Sequence, residues 1–383
     1  MSEPTEPVTE NRGGAPGWQA AMRLSRRVRA LIVGGILFVV LFALVMTLHV
    51  PYVILSPGPT YNVLADDGNK NEIISILGTD TKKTTGNLNM TTVNVTTRPI
   101  TAFDAIVGWL KGDQVVVPRA SVYPPGQSQD EVDQQNTEDF KQSQNSAITA
   151  AACELGYPKG FGIITVAKDD PKTTDKNEGP SDGKLKPGDL FESVGGQSAD
   201  TVDELTAALE KHPAGSTVPI VVKRSGADTT VDVTLGQPLK NSDGTQRKGG
   251  SLGVTLNSDP DACLFPFEVD LGLGDQIGGP SAGMMFALGI LDKVGKDDLT
   301  DGRFIAGTGT IDADGKVGPI GGIQLKMLAA RRAGATVFLA PEGNCTDVRG
   351  NVPSGLTVVK VDTLDHAVQY LDDLQNGTPV PGC

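Results

Sequence analysis

Ala30 to Val50 is a run of about 20 residues with no formal charge when His49 is neutral, and it constrains the fold more than any other stretch. A helix of that length suits a hydrocarbon layer of roughly 30 Å. In water the same helix would expose apolar surface on every side. Arg23, Arg26, Arg27 and Arg29 stand just before it, so the positive-inside rule keeps the N-terminus cytoplasmic. A cleaved signal peptide would have an apolar region of about 7–15 residues followed by a small-residue cleavage site. Here the longer run leads into Tyr52–Pro59 with no Ala-x-Ala. We read residues 1–29 as a cytoplasmic tail, 30–50 as an uncleaved single-pass anchor in the cell membrane, and the bulk of the chain as extracytoplasmic.

The 383 residues leave room for two or three further domains. Forty-seven glycines, 25 prolines and 5% aromatics predict many turns and short elements, while 38% hydrophobic residues suffice to fill cores. The net charge of -13, with no basic stripe beyond the first thirty residues, argues against a nucleic-acid partner. Cys153, Cys263, Cys345 and Cys383 suit an oxidising compartment, and spacing does not choose among their three complete pairings. A Cys345–Cys383 bond is favoured because it would tie down the end of the chain. No Cys/His spacing points to a metal.

Residues 51–155 predict a β-rich segment plus one long helix. Ile73–Leu77 and Leu88–Val95 alternate as strands, Phe103–Leu110 is a short helix, and Gln127–Leu155 is a long helix closed by Gly156. The pattern changes over residues 156–240. Gly162–Val166 reads as a strand, and Pro187-Gly188-Asp189 is a tight turn feeding another strand. Gly195-Gly196 reverses the chain, and Thr201 caps a helix running to Lys211. Val218–Lys223 and Thr230–Leu235 then alternate.

The Leu185–Gly196 run and the helix after it resemble a circularly permuted PDZ domain of the kind found in bacterial proteases. The resemblance implies capture of an extended chain end by strand addition. It also implies a carboxylate-binding loop at Gly160, Phe161 and Gly162. The plainer alternative is a small β-rich structural module. Residues 240–250 read as a polar hinge.

Two motifs in residues 245–383 carry chemistry. Phe265–Leu273 is strand-like, Gly274–Pro280 is a glycine-rich turn, and Ser281–Leu291 is helical. A serine at such a junction exposes its hydroxyl beside the unpaired N–H groups of a helix start, so Gly279, Pro280 and Ala282 become supporting candidates. Phe304–Val317 predicts a hairpin turning at Asp314-Gly315, and Gly321-Gly322 opens a helix over Ile323–Ala333, stopped by Gly334. Lys326 lies among the apolar residues of that helix. If buried, it loses basicity through desolvation, which suits a general base. Taken singly, each motif has an ordinary explanation, since Pro-Ser often begins a helix and helix lysines commonly snorkel. Asp312-x-Asp314-Gly315 lacks the other ligands of a calcium loop and reads as a turn. Asp275 reads as a turn residue with a possible supporting role.

Together the motifs resemble the proteolytic domain of Lon over roughly residues 250–350. The resemblance rests on Ser281 in Gly278–Gly283, on Gly315-x-Val317-x-Pro319-Ile320-Gly321-Gly322 before Lys326, and on the Leu328–Ala335 run after it. It implies Ser281 as nucleophile, Lys326 as base and Thr308 as a residue that orients the lysine. Gly278 and Thr310 depart from the family, which usually has acids at those places. The sequence contains no Gly-x-x-x-x-Gly-Lys-Ser/Thr phosphate loop. Anchor, PDZ-like stretch and Lon-like stretch, in that order, are similar to bacterial membrane-anchored Lon-like serine proteases with a PDZ domain.

The expectations are an α+β fold and an ATP-independent Ser–Lys endopeptidase acting on unfolded or peptide-like protein substrates. No cofactor and no nucleic-acid partner are expected, and the Lon analogy implies a homo-oligomer, a hexamer. Residues 51–155 are expected to pack with 245–383, making the PDZ-like stretch an insertion. The rival expectation is a non-catalytic, membrane-anchored PDZ-bearing scaffold. A histidine triad is disfavoured, because only His49, His212 and His366 exist.

Overall fold

The computed structural model describes residues 25–65, 72–168, 179–240, 245–257, 262–273 and 277–383. The tail before Ser25, the middle of the loop after Lys168, and Asp275 lie outside them. Eight helices are described: α1 (Arg26–Thr47), α2 (Ala102–Leu110), α3 (Gln129–Glu154), α4 (Val202–Leu209), α5 (Gly283–Val294), α6 (Ile323–Ala333), α7 (Cys345–Val348) and α8 (Leu364–Gln375).

Helix α1 starts four residues before the expected anchor, because Ser25 caps it by accepting the Val28 N–H. It stops at Thr47 rather than Val50. His49–Val50 instead pair antiparallel with Ile100–Thr101, so a short ladder takes the last apolar residues. No residue of α1 is buried.

The main sheet has six strands, in the order Thr357–Val361, Val337–Pro341, Phe304–Gly307, Asn87–Val95, Tyr52–Asn62 and Val115–Pro118. The first four run parallel and the last two pairings are antiparallel. Strands from residues 52–118 and 304–361 therefore share one sheet across the whole intervening chain. This corrects the expected Phe304–Val317 hairpin. Phe304–Gly307 runs parallel between Val337–Pro341 and Asn87–Val95, and the hairpin shrinks to Thr310–Ile311 against Val317–Gly318. Local alternation does not reveal which partner a buried strand takes.

One core joins the two halves. Ala147, Ala150, Ala151 and Ala152 of α3 pack with Met284, Phe286, Leu288 and Ile290 of α5. These four small side chains allow the two helices a close approach, and the rings of Phe140 and Phe286 meet edge to face at 5.9 Å.

The middle unit has its own core, built on Phe161, Phe191, Leu205, Ile220, Val222 and Leu252. Its sheet runs Ala227–Thr234, Thr217–Arg224, Leu190–Val194, Gln197–Ser198. The Pro187-Gly188-Asp189 turn is held by the Asp189 carboxylate, which accepts the Lys186 N–H at 2.9 Å and takes Arg224 in a two-point ion pair. The unit ends later than the expected residue 240. Val254–Leu256 pairs antiparallel with Ile163–Val166 and closes it. Just outside that pair, the Gly160 N–H bonds Ala262 O, and Cys153 is joined to Cys263. The second disulfide is Cys345–Cys383.

Candidate active site

Ser281 occupies the turn ahead of α5. Gly279 makes that turn with φ +85°, a region favouring glycine, and its N–H bonds Asn136 O at 2.8 Å. The Ser143 hydroxyl donates to Pro280 O at 2.8 Å, so α3 grips the turn at two points. Gly283 is required for that approach. A Cβ there would stand 2.6 Å from Ser143 Oγ and 2.8 Å from Ile311 Cγ2.

From the other side α6 delivers Lys326. Its Nζ lies 2.7 Å from Ser281 Oγ and 2.9 Å from Thr308 Oγ1. The residue is 3% exposed, and burial alone pushes its pKa down to about 7. The amine can therefore be neutral near physiological pH, which the sequence had made conditional on burial.

Thr308 is fully buried. Its hydroxyl donates to Ser281 O at 3.0 Å. With its one proton committed there, it meets Lys326 only as an acceptor. That fixes one amine N–H on Thr308, and in the neutral amine the lone pair is then free to turn to Ser281 Oγ.

The supporting residues divide. The Gly279 N–H is spent on Asn136, and Pro280 has none. The N–H groups of Ser281 and Ala282 have no acceptor among the described residues. Asn136 and Ser143 were not singled out in the sequence. They lie on a polar part of α3 more than a hundred residues away, where nothing local marks them. No histidine joins the site: His366 pairs with Asp362 at 2.6 Å and stacks on Tyr370, and His212 lies against Gly195.

A cavity of about 410 Å³ opens over Ser281 and Lys326, lined by Tyr61, Met90, Thr92, Val93, Asn94 and Ile277 among others. The Phe304–Gly307 strand pairs with Asn87–Val95 only as far as Met90. On that side Thr92–Asn94 have no strand neighbour among the described residues.

In the middle unit, the loop at Gly160, Phe161 and Gly162 is closed. Gly160 and Gly162 give their N–H groups to Ala262 O and Asn257 Oδ1, and Phe161 is buried against Phe191. Two of the three N–H groups of the expected carboxylate-binding loop thus have internal acceptors. A second cavity of about 410 Å³ lies instead between α4 and residues 247–256, lined by Val202, Leu205, Leu209, Leu252, Val254 and Leu256 among others. Part of its wall is the segment read from sequence as a hinge.

Residues 276–372 match the family model described as the Lon protease (S16) C-terminal proteolytic domain. Lon protease 2 of Herpetosiphon aurantiacus is 40% identical over 93 residues, covering 24% of this chain and 11% of that protein. Lon protease 1 of Bacillus subtilis is 35% identical over 95 residues, covering 24% and 12%. Lon protease of Roseiflexus castenholzii is 45% identical over 74 residues, covering 18% and 9%. The matched stretch spans about a tenth of the length of these relatives. A solved PDZ domain of an SdrC-like protein from Listeria monocytogenes is 22% identical, covering 26% of this chain and 88% of that one, with a TM-score of 0.20. Ser281, Thr308 and Lys326 all fall within the stretch that matches this proteolytic domain.

Proposed function

We propose that this chain is a membrane-tethered, ATP-independent serine endopeptidase with Ser281 as nucleophile and Lys326 as general base. The observation that carries the reading is the 2.7 Å approach of a buried amine to Ser281 Oγ. Neutral Lys326 takes the hydroxyl proton as Oγ attacks a peptide carbonyl. The Ser281 and Ala282 N–H groups receive the oxyanion. The lysine, now an ammonium, gives its proton to the departing amine, leaving an acyl-serine. Water then attacks the acyl carbon, with Lys326 again taking the proton and returning it to Ser281.

The substrate is an extended protein segment laid along Thr92–Asn94, on the side away from Tyr52–Asn62, where no strand pairs with them among the described residues. ATP independence rests on the sequence having no phosphate loop. The tether is α1, the one described helix that is long and apolar enough to cross a membrane. The arginines before it support a body of the chain outside the cytoplasm. In this reading the groove beside α4 captures chain ends and delivers them, and the Lon analogy supplies a homo-oligomer.

A quenched-fluorescence peptide assay tests the chemistry. Wild type should cleave and both Ser281→Ala and Lys326→Ala should not. Equal residual cleavage by all three would discard the protease reading in favour of the scaffold.

A further inference from the structure

Helix α2 presents an apolar face to the outside. Asp104 is the one ionisable residue between Ala102 and Leu110. It is committed to a capping box, accepting the Thr101 N–H at 3.0 Å while the Thr101 hydroxyl accepts the Asp104 N–H at 3.1 Å. The inner face is made of small residues. Ala105 and Gly108 are buried, and Gly108 lies close against Val116 and Ile54. The larger side chains point away from the body. Phe103 is 39% exposed, Ile106 45%, Trp109 63% and Leu110 81%. A helix apolar on both faces with one face uncovered requires a partner.

The position of α2 identifies that partner. The chain leaves α1 at Thr47, and the next residue, Leu48, accepts the Ala102 N–H at 2.9 Å. His49 and Val50 pair with Thr101 and Ile100. At the far end of α2 the Trp109 ring meets the Tyr52 ring edge to face, 6.4 Å apart. Both ends of α2 thus contact residues within five positions of the end of α1, which keeps the helix beside the point where α1 meets the body. Leu48, 51% exposed, continues the apolar surface from α1 to α2. Trp and Tyr are the side chains that favour the membrane–water boundary. Exposed Lys111 follows Leu110 and can reach headgroup phosphates.

We propose that α2 is an interfacial helix, lying in the headgroup region of the bilayer that α1 spans, with Phe103, Ile106, Trp109 and Leu110 inserted at the acyl boundary. The proposal rests on α1 being a membrane anchor. It adds a second point of attachment, which fixes the tilt of the body. Tyr52 begins the strand that pairs with Asn87–Val95, so that tilt also sets how the Ser281 cavity faces the membrane.

The chain has two tryptophans, Trp18 and Trp109, so Trp18→Phe leaves Trp109 as the single reporter in the full-length protein. Reconstituted in phosphatidylcholine–phosphatidylglycerol vesicles, its emission should be quenched strongly by lipids brominated near the headgroup end of the acyl chain. Lipids brominated near the chain terminus should quench it weakly. Phe103→Asp/Leu110→Asp in the same background should reduce that quenching while the protein stays with the vesicles after an alkaline carbonate wash. Carbonate resistance with Trp109 open to aqueous acrylamide and untouched by bromolipid overturns the proposal and leaves the anchor standing. Shielding from both quenchers means another protein surface covers the face, a second copy for example, and also overturns it. Release by carbonate removes the anchor reading, and this proposal with it.

Discussion

Lys326 Nζ and Ser281 Oγ stand 2.7 Å apart although 45 residues separate them in the chain. Among the described residues the lysine's partners are two hydroxyls and no carboxylate, and burial is what lowers its pKa. In the proposed mechanism its proton passes to and from the serine with no ion pair to break among the described residues.

That relationship makes arginine a sharper probe than alanine. Lys326→Arg keeps a long cationic side chain that cannot lose its proton. Peptide cleavage should fall at least as far as in Lys326→Ala, by about 10²–10⁴-fold, the range general acid–base groups supply. Steady-state kinetics on a fluorogenic peptide measure this, and substantial activity in the arginine variant would contradict the assigned base.

Activity should rise with pH through about 7, because only the neutral amine can accept the serine proton. Stability follows the same group. The folded amine titrates near 7, whereas an unfolded lysine keeps its proton to about 10.4. Between those values the unfolded chain binds more protons, so this residue makes stability rise with pH across that window and costs stability below it. Lys326→Met should therefore be inactive yet raise Tm, with a larger gap at about pH 6 than at about pH 9. Thermal melts at the two pH values check the sign.

Thr308→Val should separate orientation from packing. It keeps the volume but removes the hydroxyl that bridges Ser281 O and Lys326 Nζ. We expect kcat to fall by about 10-fold or more for a loss of about 1–2 kcal/mol of bonding. Thr308→Ser should recover most of it. If valine and serine variants were equally active, the hydroxyl would have no orienting role.

Arg224→Ala strips the partner from Asp189, which is 1% exposed. Removing the arginine leaves a buried carboxylate without its counter-charge, at a cost below the roughly 3–5 kcal/mol of a fully buried pair because Arg224 is partly exposed. The middle unit should melt earlier in calorimetry, while cleavage of a short peptide at Ser281 stays close to wild type.

The disulfides should differ in weight. Cys153–Cys263 closes a span of 110 residues and Cys345–Cys383 a span of 38. On the chain-entropy model a 100-residue loop is worth about 4.7 kcal/mol and a 15-residue loop about 3 kcal/mol. Replacing the first pair with serines should lower Tm more than replacing the second.

What the sequence alone determined is local or compositional. The length and apolarity of α1 are visible in one stretch. The Thr201 cap acts on an N–H three residues away, and the Pro187-Gly188-Asp189 turn and the Gly322 and Gly334 limits of α6 are equally short-ranged. The serine and lysine motifs were legible for the same reason, and so was the favoured Cys345–Cys383 bond. Tertiary structure decided everything that depends on what packs from afar. It put Phe304–Gly307 between two parallel strands, joined Cys153 to Cys263, and closed the Gly160–Gly162 loop while opening a groove beside α4. It also brought Asn136 and Ser143 of α3 onto the serine turn. Above all it decided the state of Lys326. Desolvation is the summed exclusion of water by residues scattered along the chain, and no spacing of letters around one lysine encodes that sum.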